Sequence, residues 1–430
     1  MQITLRNINK IREGTINLDG LTVIAGVNDS GKSTVGKMLF ALTKAIHNAK
    51  HYNENRRIGD IRQQVNILYK RLIMSGINIS SLTLPEQARD FVQLLVGFDD
   101  EALSFVKTIE DKLTSVEVVP RYRASIIRCI DNIKETLISG KDPETRFEKE
   151  LIMSLKAEFK ADIISYGEDV AEVDFIDNER ATPLRFVIKD NALSVASELK
   201  MWEINIEDAT FVESPLYLQM IDILSQARTF KDTNLNFRAT GMRTSYVNYH
   251  AQDMAQKLDA YREIDISDMF FRQEDVSDVA GGRFAYDNNK KSLLWVKDGK
   301  TYSPINVASG IKSFGVIQML LESGAINENR LLIWDEPENH LHPEWQLLFA
   351  RLLVQLAQRG IPVLLSSHSP YFIQAIRFYS HKTSLQDYVR YYMAEEQSDG
   401  LSVIEDVSKD LNRVFAKLAA PMNGIMNLPE

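Results

Sequence analysis

Residues 2–8 alternate polar and apolar positions, and residues 15–25 do the same before running into Leu21, Val23 and Ile24. This predicts a hairpin followed by a buried strand that delivers the chain to Gly26. From Gly31 onward Val35, Met38, Leu39, Leu42 and Ile46 recur at helical spacing, so a glycine-rich segment joins a strand to a helix. From about 49 to about 168 the pattern is amphipathic helix. Ile58, Ile61, Val65, Leu68 and Leu72 keep alternating spacings of three and four for only two heptads. Further helices are predicted at 86–96, 101–114, 121–138 and 144–165, with breaks at Pro85, Pro120, Gly140 and Pro143. No heptad run lasts the three or four repeats that a coiled-coil arm needs, so the segment reads as a compact helical insertion.

Strand patterns return at 172–176, 184–188 and 210–213, the last ending at Ser214-Pro215. Residues 228–250 are rich in Arg, Thr, Asn and Tyr without periodicity and read as a long loop. A hairpin is predicted from 284–286 and 292–296, then a helix at 309–321, a buried strand at 331–334, a helix at 344–358 and a buried strand at 363–366. Alternation of helix with apolar strand is the α/β pattern. The expected organisation is a sheet-forming domain in two parts, 1–48 and 169–380, interrupted by the helical insertion 49–168 and followed by a tail, 381–430, with a strand and a helix.

Composition narrows the class only slightly. The chain of 430 residues is 44% hydrophobic and 25% charged, with a net charge of −9, so it is neither disordered nor built to coat nucleic acid. Two basic clusters, one of Arg56, Arg57, Arg62, Lys70 and Arg71 and the other of Arg121, Arg123 and Arg128, are expected to be solvated helix faces rather than DNA contacts. The longest apolar runs are too short to span a bilayer and the N-terminus enters a strand directly, so a cytoplasmic protein with no membrane partner is expected. Cys129, the single cysteine, lies among Ile126, Ile127 and Ile130 and is assigned to a helix interior without a functional role.

The chemistry concentrates in two strings. Gly26-Val27-Asn28-Asp29-Ser30-Gly31-Lys32-Ser33 fits G-x-x-x-x-G-K-S/T without departure, between a strand and a helix. Its glycines let backbone N–H groups wrap phosphate oxygens at a helix N-terminus. Lys32 is then expected on the β- and γ-phosphates, Ser33 on Mg²⁺ and Thr34 at the α-phosphate of ATP. The second string, 331–336, is an apolar strand ending in Asp335 and Glu336, at the strand end where α/β sheets place ligands. Asp335 is expected in the Mg²⁺ shell, and Glu336 as the group that orients or deprotonates the attacking water.

Together the strings resemble the ABC-type ATPases. Asp335-Glu336-Pro337-Glu338-Asn339-His340-Leu341-His342-Pro343 is similar to the D-E-P-E-x-H-L-H-P of the overcoming-lysogenization-defect (OLD) and RecF-like branch. Transporter ATPases of that superfamily usually carry an aspartate where this chain has His342. Val307-Ala308-Ser309-Gly310-Ile311-Lys312 occupies the place of the signature loop, in a looser match. Ser366-Ser367-His368-Ser369-Pro370 is similar to the segment bearing the switch histidine. The resemblance covers 1–48 and 171–380. It implies an ABC-type P-loop ATPase head with a mixed sheet and catalytic roles for Glu336 and His368. Gly26, Asn28, Asp29, Ser30, Gly31, Lys32, Ser33 and Thr34 would bind nucleotide. It further implies an ATP-dependent head-to-tail dimer or higher homo-oligomer, in which Ser309 and Gly310 meet the γ-phosphate of the opposite subunit. The Q-loop glutamine has three weak candidates, Gln63, Gln64 and Gln219.

OLD nucleases continue into a Toprim domain, which needs a D-x-D pair, and no such pair follows His368. The chain is therefore expected not to be a nuclease itself. Stand-alone ATPases of this branch, including those of the Septu, retron-associated and PARIS anti-phage systems, work with a separate effector that is often a nuclease. By that resemblance, control of a separate effector in bacterial defence is expected. The helical insertion, or an apolar tail face of Val407, Leu411, Val414, Phe415 and Leu418, would hold that effector. A RecF-like DNA-repair ATPase with DNA as partner and a non-hydrolysing ATP-gated scaffold are the alternatives.

Overall fold

The N-terminal alternation folds as β1 (Gln2–Ile8) and β2 (Ile11–Asn17), paired antiparallel with Ile3 opposite Ile16 and Ile8 opposite Ile11. The computed structural model describes residues 1–52, 54–97, 99–116, 120–139, 143–160, 162–177, 183–189, 192–195, 204–225, 227–229, 246–261, 280–287 and 292–426. β3 (Leu21–Ala25) is buried at every position, as a strand covered on both faces must be. β4 (Val170–Ile176), β5 (Leu184–Lys189) and β6 (Ala192–Val195) continue the antiparallel side outward from β1. β7 (Asp208–Val212) lies at the opposite edge. Two small sheets lie outside this one: β8 (Arg228–Thr229) with β9 (Tyr246–Val247), and β10 (Arg283–Asp287), β11 (Ser292–Lys297) and β12 (Lys300–Tyr302).

β13 (Arg330–Asp335), β14 (Val363–Ser367), β15 (Val389–Glu396) and β16 (Ser402–Asp406) complete an 11-stranded mixed sheet. Its order is β6-β5-β4-β1-β2-β16-β15-β3-β14-β13-β7. From β15 to β7 every neighbour is parallel, so β3, β14, β13 and β7 end at the same edge. The segment after 381 is thus no appendage, because β15 pairs directly with β3 and β16 pairs with β2.

Twelve α-helices are described. α1 (Lys32–Lys50), α2 (Glu54–Met74), α3 (Ala88–Gly97), α4 (Asp99–Ser115), α5 (Pro120–Ser139) and α6 (Pro143–Phe159) precede β4, and α7 (Ile221–Leu224) and α8 (Tyr249–Ala260) follow β7. α9 (Ser309–Glu322), α10 (Pro343–Gln358), α11 (Pro370–Lys382) and α12 (Leu411–Met426) complete the set. None of the described helices is long and apolar enough to cross a membrane.

The chain divides into two compact units. The first comprises Met1–Ile46, Leu151–Lys231 and Ser245–Glu430, and its main core packs Val23, Trp334 and Leu365 from the sheet against Phe314, Phe349 and Phe372 from α9, α10 and α11. On the other face α1 lies so close that a Cβ on Gly36 would come 2.9 Å from Ile333. A square of two lysines and two aspartates is buried here. Lys44 reaches Asp208 at 3.0 Å and Asp253 at 2.7 Å, and Lys257 reaches both at 2.9 Å. Four partnered charges avoid the penalty that any one of them would carry alone. The second unit, His47–Glu150 with Asp232–Thr244, has its own core of Ile61, Val65, Leu68, Phe91, Ile109 and Ile130. Cys129 is buried in that core, which pushes its thiol up to about 11.

Five expectations need correction. The helix expected at 144–165 stops at Phe159, because Lys160 turns to φ 57°. The loop expected at 228–250 is only partly testable, since 230–245 lie outside the described residues, and Tyr249 already opens α8. Arg57 and Arg71 are buried rather than solvated. Arg123 is also no free cation, since its guanidinium donates to the Leu113 carbonyl at 3.2 Å and helps cap the end of α4. The apolar face of Val407, Leu411, Val414, Phe415 and Leu418 packs on the protein's own core, so it is not left open for a partner.

Candidate functional site

Three parallel strand ends meet at one edge. In-register pairing sets Ser367 of β14 beside Ala25 of β3, and Asp335 of β13 beside Ser366 of β14. The chain leaves β3 into the loop 26–33 and leaves β13 into the carboxylate string. From β14 it passes into His368 and the N-terminus of α11, where Ser369 Oγ accepts from Phe372 N. Gly26 is required by close approach, because a Cβ there would stand 2.6 Å from Ser30 Oγ and 2.8 Å from the Ala394 carbonyl. Gly31 adopts φ 81°, and Asp29 takes the same left-handed region at φ 63°, where Lys10 holds its carboxylate at 2.9 Å.

Within the loop, Ser30 Oγ and Lys32 Nζ both donate to the Val27 carbonyl, at 2.8 and 2.6 Å. Burial lowers the Lys32 pKa, while Glu336, Asp335 and Glu338 act against that shift. Ser33, the second residue of α1, donates to Asp335 Oδ2 at 2.7 Å, and Ser366 donates to the other oxygen, Oδ1. Asp335 is therefore fixed from both sides. Thr34 Oγ1 lies 3.3 Å from Asn9 Oδ1.

Glu336 sits at φ 48°, a conformation that costs a non-glycine residue about 1 kcal/mol or more. Its amide donates to Ser366 at 3.1 Å and its Oε2 accepts from Asn339 at 2.8 Å. Its Oε1 lies 3.2 Å from His368 Nδ1. Glu338 is almost wholly buried, and its Oε1 accepts from Ser367 Oγ at 2.7 Å, His368 N at 2.9 Å and Ser369 N at 3.1 Å. Burial holds this carboxyl above the usual range, and its Oε2 has no partner among the described residues.

The structure brings Gly26, Asn28, Asp29, Ser30, Gly31, Lys32, Ser33 and Thr34 together with Asp335, Glu336 and His368. Ser309 and Gly310 lie apart from these contacts at the start of α9, after the N-cap Ala308. The sequence offers three glutamines for the Q-loop. Gln63 and Gln64 belong to α2, where Gln64 accepts from Asn132, and Gln219 accepts from Lys312 Nζ at 2.6 Å. Three contributors went unassigned in the sequence reading: Glu338, Ser366 and Asn339. Only Glu338 had a signal, its place in the D-E-P-E string.

The residues fit a nucleotide with a divalent cation. The glycines leave a cradle that a Cβ would fill, a lysine lies within it, and a hydroxyl and a carboxylate, the oxygen donors that Mg²⁺ prefers, stand together at its end. Sheet and site together define a P-loop protein of the ABC-ATPase class. More particularly, the chain belongs to the family described as "AAA domain, putative AbiEii toxin, Type IV TA system", whose model matches residues 21–374. No curated protein matches the chain. Among solved structures it is similar to the SMC head domain from Thermotoga maritima, with 11% identity, 94% of this chain and 98% of that chain covered, and a TM-score of 0.39. It is also similar to an Smc head bound to the C-winged helix domain of ScpA, with 12% identity, 94% and 97% covered, and a TM-score of 0.41. A third is the Smc head domain with an extended coiled coil bound to the C-terminal domain of ScpA from Pyrococcus furiosus, with 11% identity, 98% of each chain covered and a TM-score of 0.39.

Proposed function

We propose that the chain binds ATP with Mg²⁺, hydrolyses it, and uses the cycle to control a separate effector protein. The observation that carries the catalytic part is the convergence of Lys32, Ser33, Asp335, Glu336 and His368 at the ends of three adjacent parallel strands. The loop amides and Lys32 hold the β- and γ-phosphates, and Ser33 and Asp335 hold the cation. When bound, Mg²⁺ supplies charge neutralisation at the phosphate oxygens. Glu336 accepts a proton from, or orients, the attacking water, and His368, 3.2 Å from Glu336, reports the γ-phosphate. Purified Lys32→Ala protein should lose ATP affinity, whereas Glu336→Gln should keep affinity and lose turnover by about a hundredfold or more. Undiminished hydrolysis by Glu336→Gln would refute the assignment.

The regulatory part rests on the OLD-like string and on the helical second unit, whose separate core catalysis does not require. A nuclease acting in anti-phage defence is the effector class that the resemblance favours. Isolation of the protein from its native operon tests it. An ATP-sensitive complex with a second gene product is expected; recovery of the chain alone, with no change in phage sensitivity on deletion, would move the DNA-repair reading ahead.

A further inference from the structure

β7 ends one residue before Glu213, and Val212 is the register partner of Trp334, so Glu213 follows β7 as Asp335 follows Trp334. Neighbouring strands lie about 4.8 Å apart. Alternation along the two strands puts Glu213 on the face of Phe211 and Asp335 on the face of Ile333, and a Cβ on Gly36 would touch both Phe211 and Ile333. Both carboxylates therefore project on the α1 side, at the edge where the phosphate loop ends. Lys37, one turn along α1 from Ser33, acts electrostatically on Glu213.

Glu213 is held from behind. Its Oε2 accepts from Tyr217 Oη and lies 3.1 Å from His250 Nε2, while its side chain remains 38% exposed. His250 itself is fully buried, with Phe211 stacked on its ring at 4.6 Å. Its Nδ1 lies 2.7 Å from Glu158 Oε2, and its amide donates to Glu158 Oε1 at 2.7 Å. A neutral imidazole donates from only one ring nitrogen, and a carboxylate only accepts, so an acceptor at each nitrogen requires the imidazolium. Its charge lies between two carboxylates, which settles it in a site where water cannot reach. Glu213 Oε1 has no partner among the described residues.

We propose that Glu213 is a further residue of the nucleotide site, adding a clamped carboxylate to its cation end, and that His250 and Glu158 are positioning residues acting through it. This rests on the reading of the site as one for nucleotide and Mg²⁺. Fixing the carboxylate beforehand lets it contribute without the entropy of ordering it on binding. The relay has no sequence signature, since Glu158, Glu213 and His250 come from α6, the end of β7 and α8.

The test is nucleotide binding by Glu336→Gln protein, measured by calorimetry with ATP alone and with ATP and Mg²⁺. Added Glu213→Ala should reduce the Mg²⁺-dependent gain in affinity by about tenfold or more, since an attractive charge pair near a protein surface exceeds the thermal energy several-fold, and should not weaken binding of ATP alone. Added His250→Gln should lose the same increment, and combining it with Glu213→Ala should cost nothing more. Glu213→Gln, which keeps a hydrogen-bonding group without the charge, should fall between. If His250→Gln fails to fold, the exposed Glu213 variants still decide. An unchanged Mg²⁺ increment in Glu213→Ala, or a His250→Gln loss that adds in full to it, would overturn the proposal. Absence of any Mg²⁺-dependent binding in the Glu336→Gln parent would instead refute the nucleotide-site reading itself.

Discussion

Glu338 stands two positions from Glu336 and faces a different task. Its Oε1 gathers one hydroxyl and two amides from Ser367, His368 and Ser369, so it ties the string after β13 to the segment after β14. Three donors on one oxygen set the backbone of His368 while Nδ1 lies 3.2 Å from Glu336. Glu338→Ala should therefore reduce kcat by about tenfold or more with a small change in KM, since a mispositioned catalytic group costs turnover rather than uniform binding. Glu338→Gln keeps an acceptor oxygen and should recover part of the loss. Steady-state kinetics of the two variants check this, and equal kcat in Glu338→Ala and the parent would show that the tie is dispensable. Residue by residue, the phosphate loop was legible because each of its positions answers to backbone wrapping around phosphate. Ser366 and Asn339 were not, because a serine near a strand end or an asparagine in a turn has many ordinary uses.

At the scale of elements, helical and strand periodicity predicted most of the segments that build the sheet, since burial of one face imposes the spacing. α8 was missed because its buried face includes His250, Asp253 and Lys257, polar residues that look solvent-facing until their partners are known. α12 shows the reverse. Its apolar stripe is plain in the sequence, but only packing reveals that Val414 is 1% exposed in the main core. Val414→Asp should destabilise the protein by about 3 kcal/mol, the scale for placing an unpaired charge in an apolar site. Urea unfolding measures the loss, and a change under 0.5 kcal/mol would mean that α12 does not hold the core.

For the whole molecule, Ser309 and Gly310 carry a prediction. They stand at the start of α9, where free amides and the helix dipole favour an anion, and among the described residues they form no hydrogen bond with the phosphate loop of their own chain. If a second copy presents this helix to the γ-phosphate, Lys32→Ala protein and Ser309→Arg protein should each be inactive alone. Their mixture should regain turnover limited to one intact site per mixed dimer. Sedimentation together with ATPase assays over a dilution series checks the same point, and full turnover per chain in a monomeric sample would exclude a composite site.

The sequence by itself determined the local chemistry: the loop 26–33, the acids at 335 and 336, the histidine at 368 and the α/β alternation around them. Each depends on neighbours in the chain or on a spacing that burial enforces. Tertiary structure decided what depends on residues far apart. It put Ser33 against Asp335, Glu338 under His368, the last strands beside β3, and Glu158, His250 and Glu213 in one line from the core to the surface. A carboxylate is equally at home in water, and only the partner across the fold determines which ones leave it.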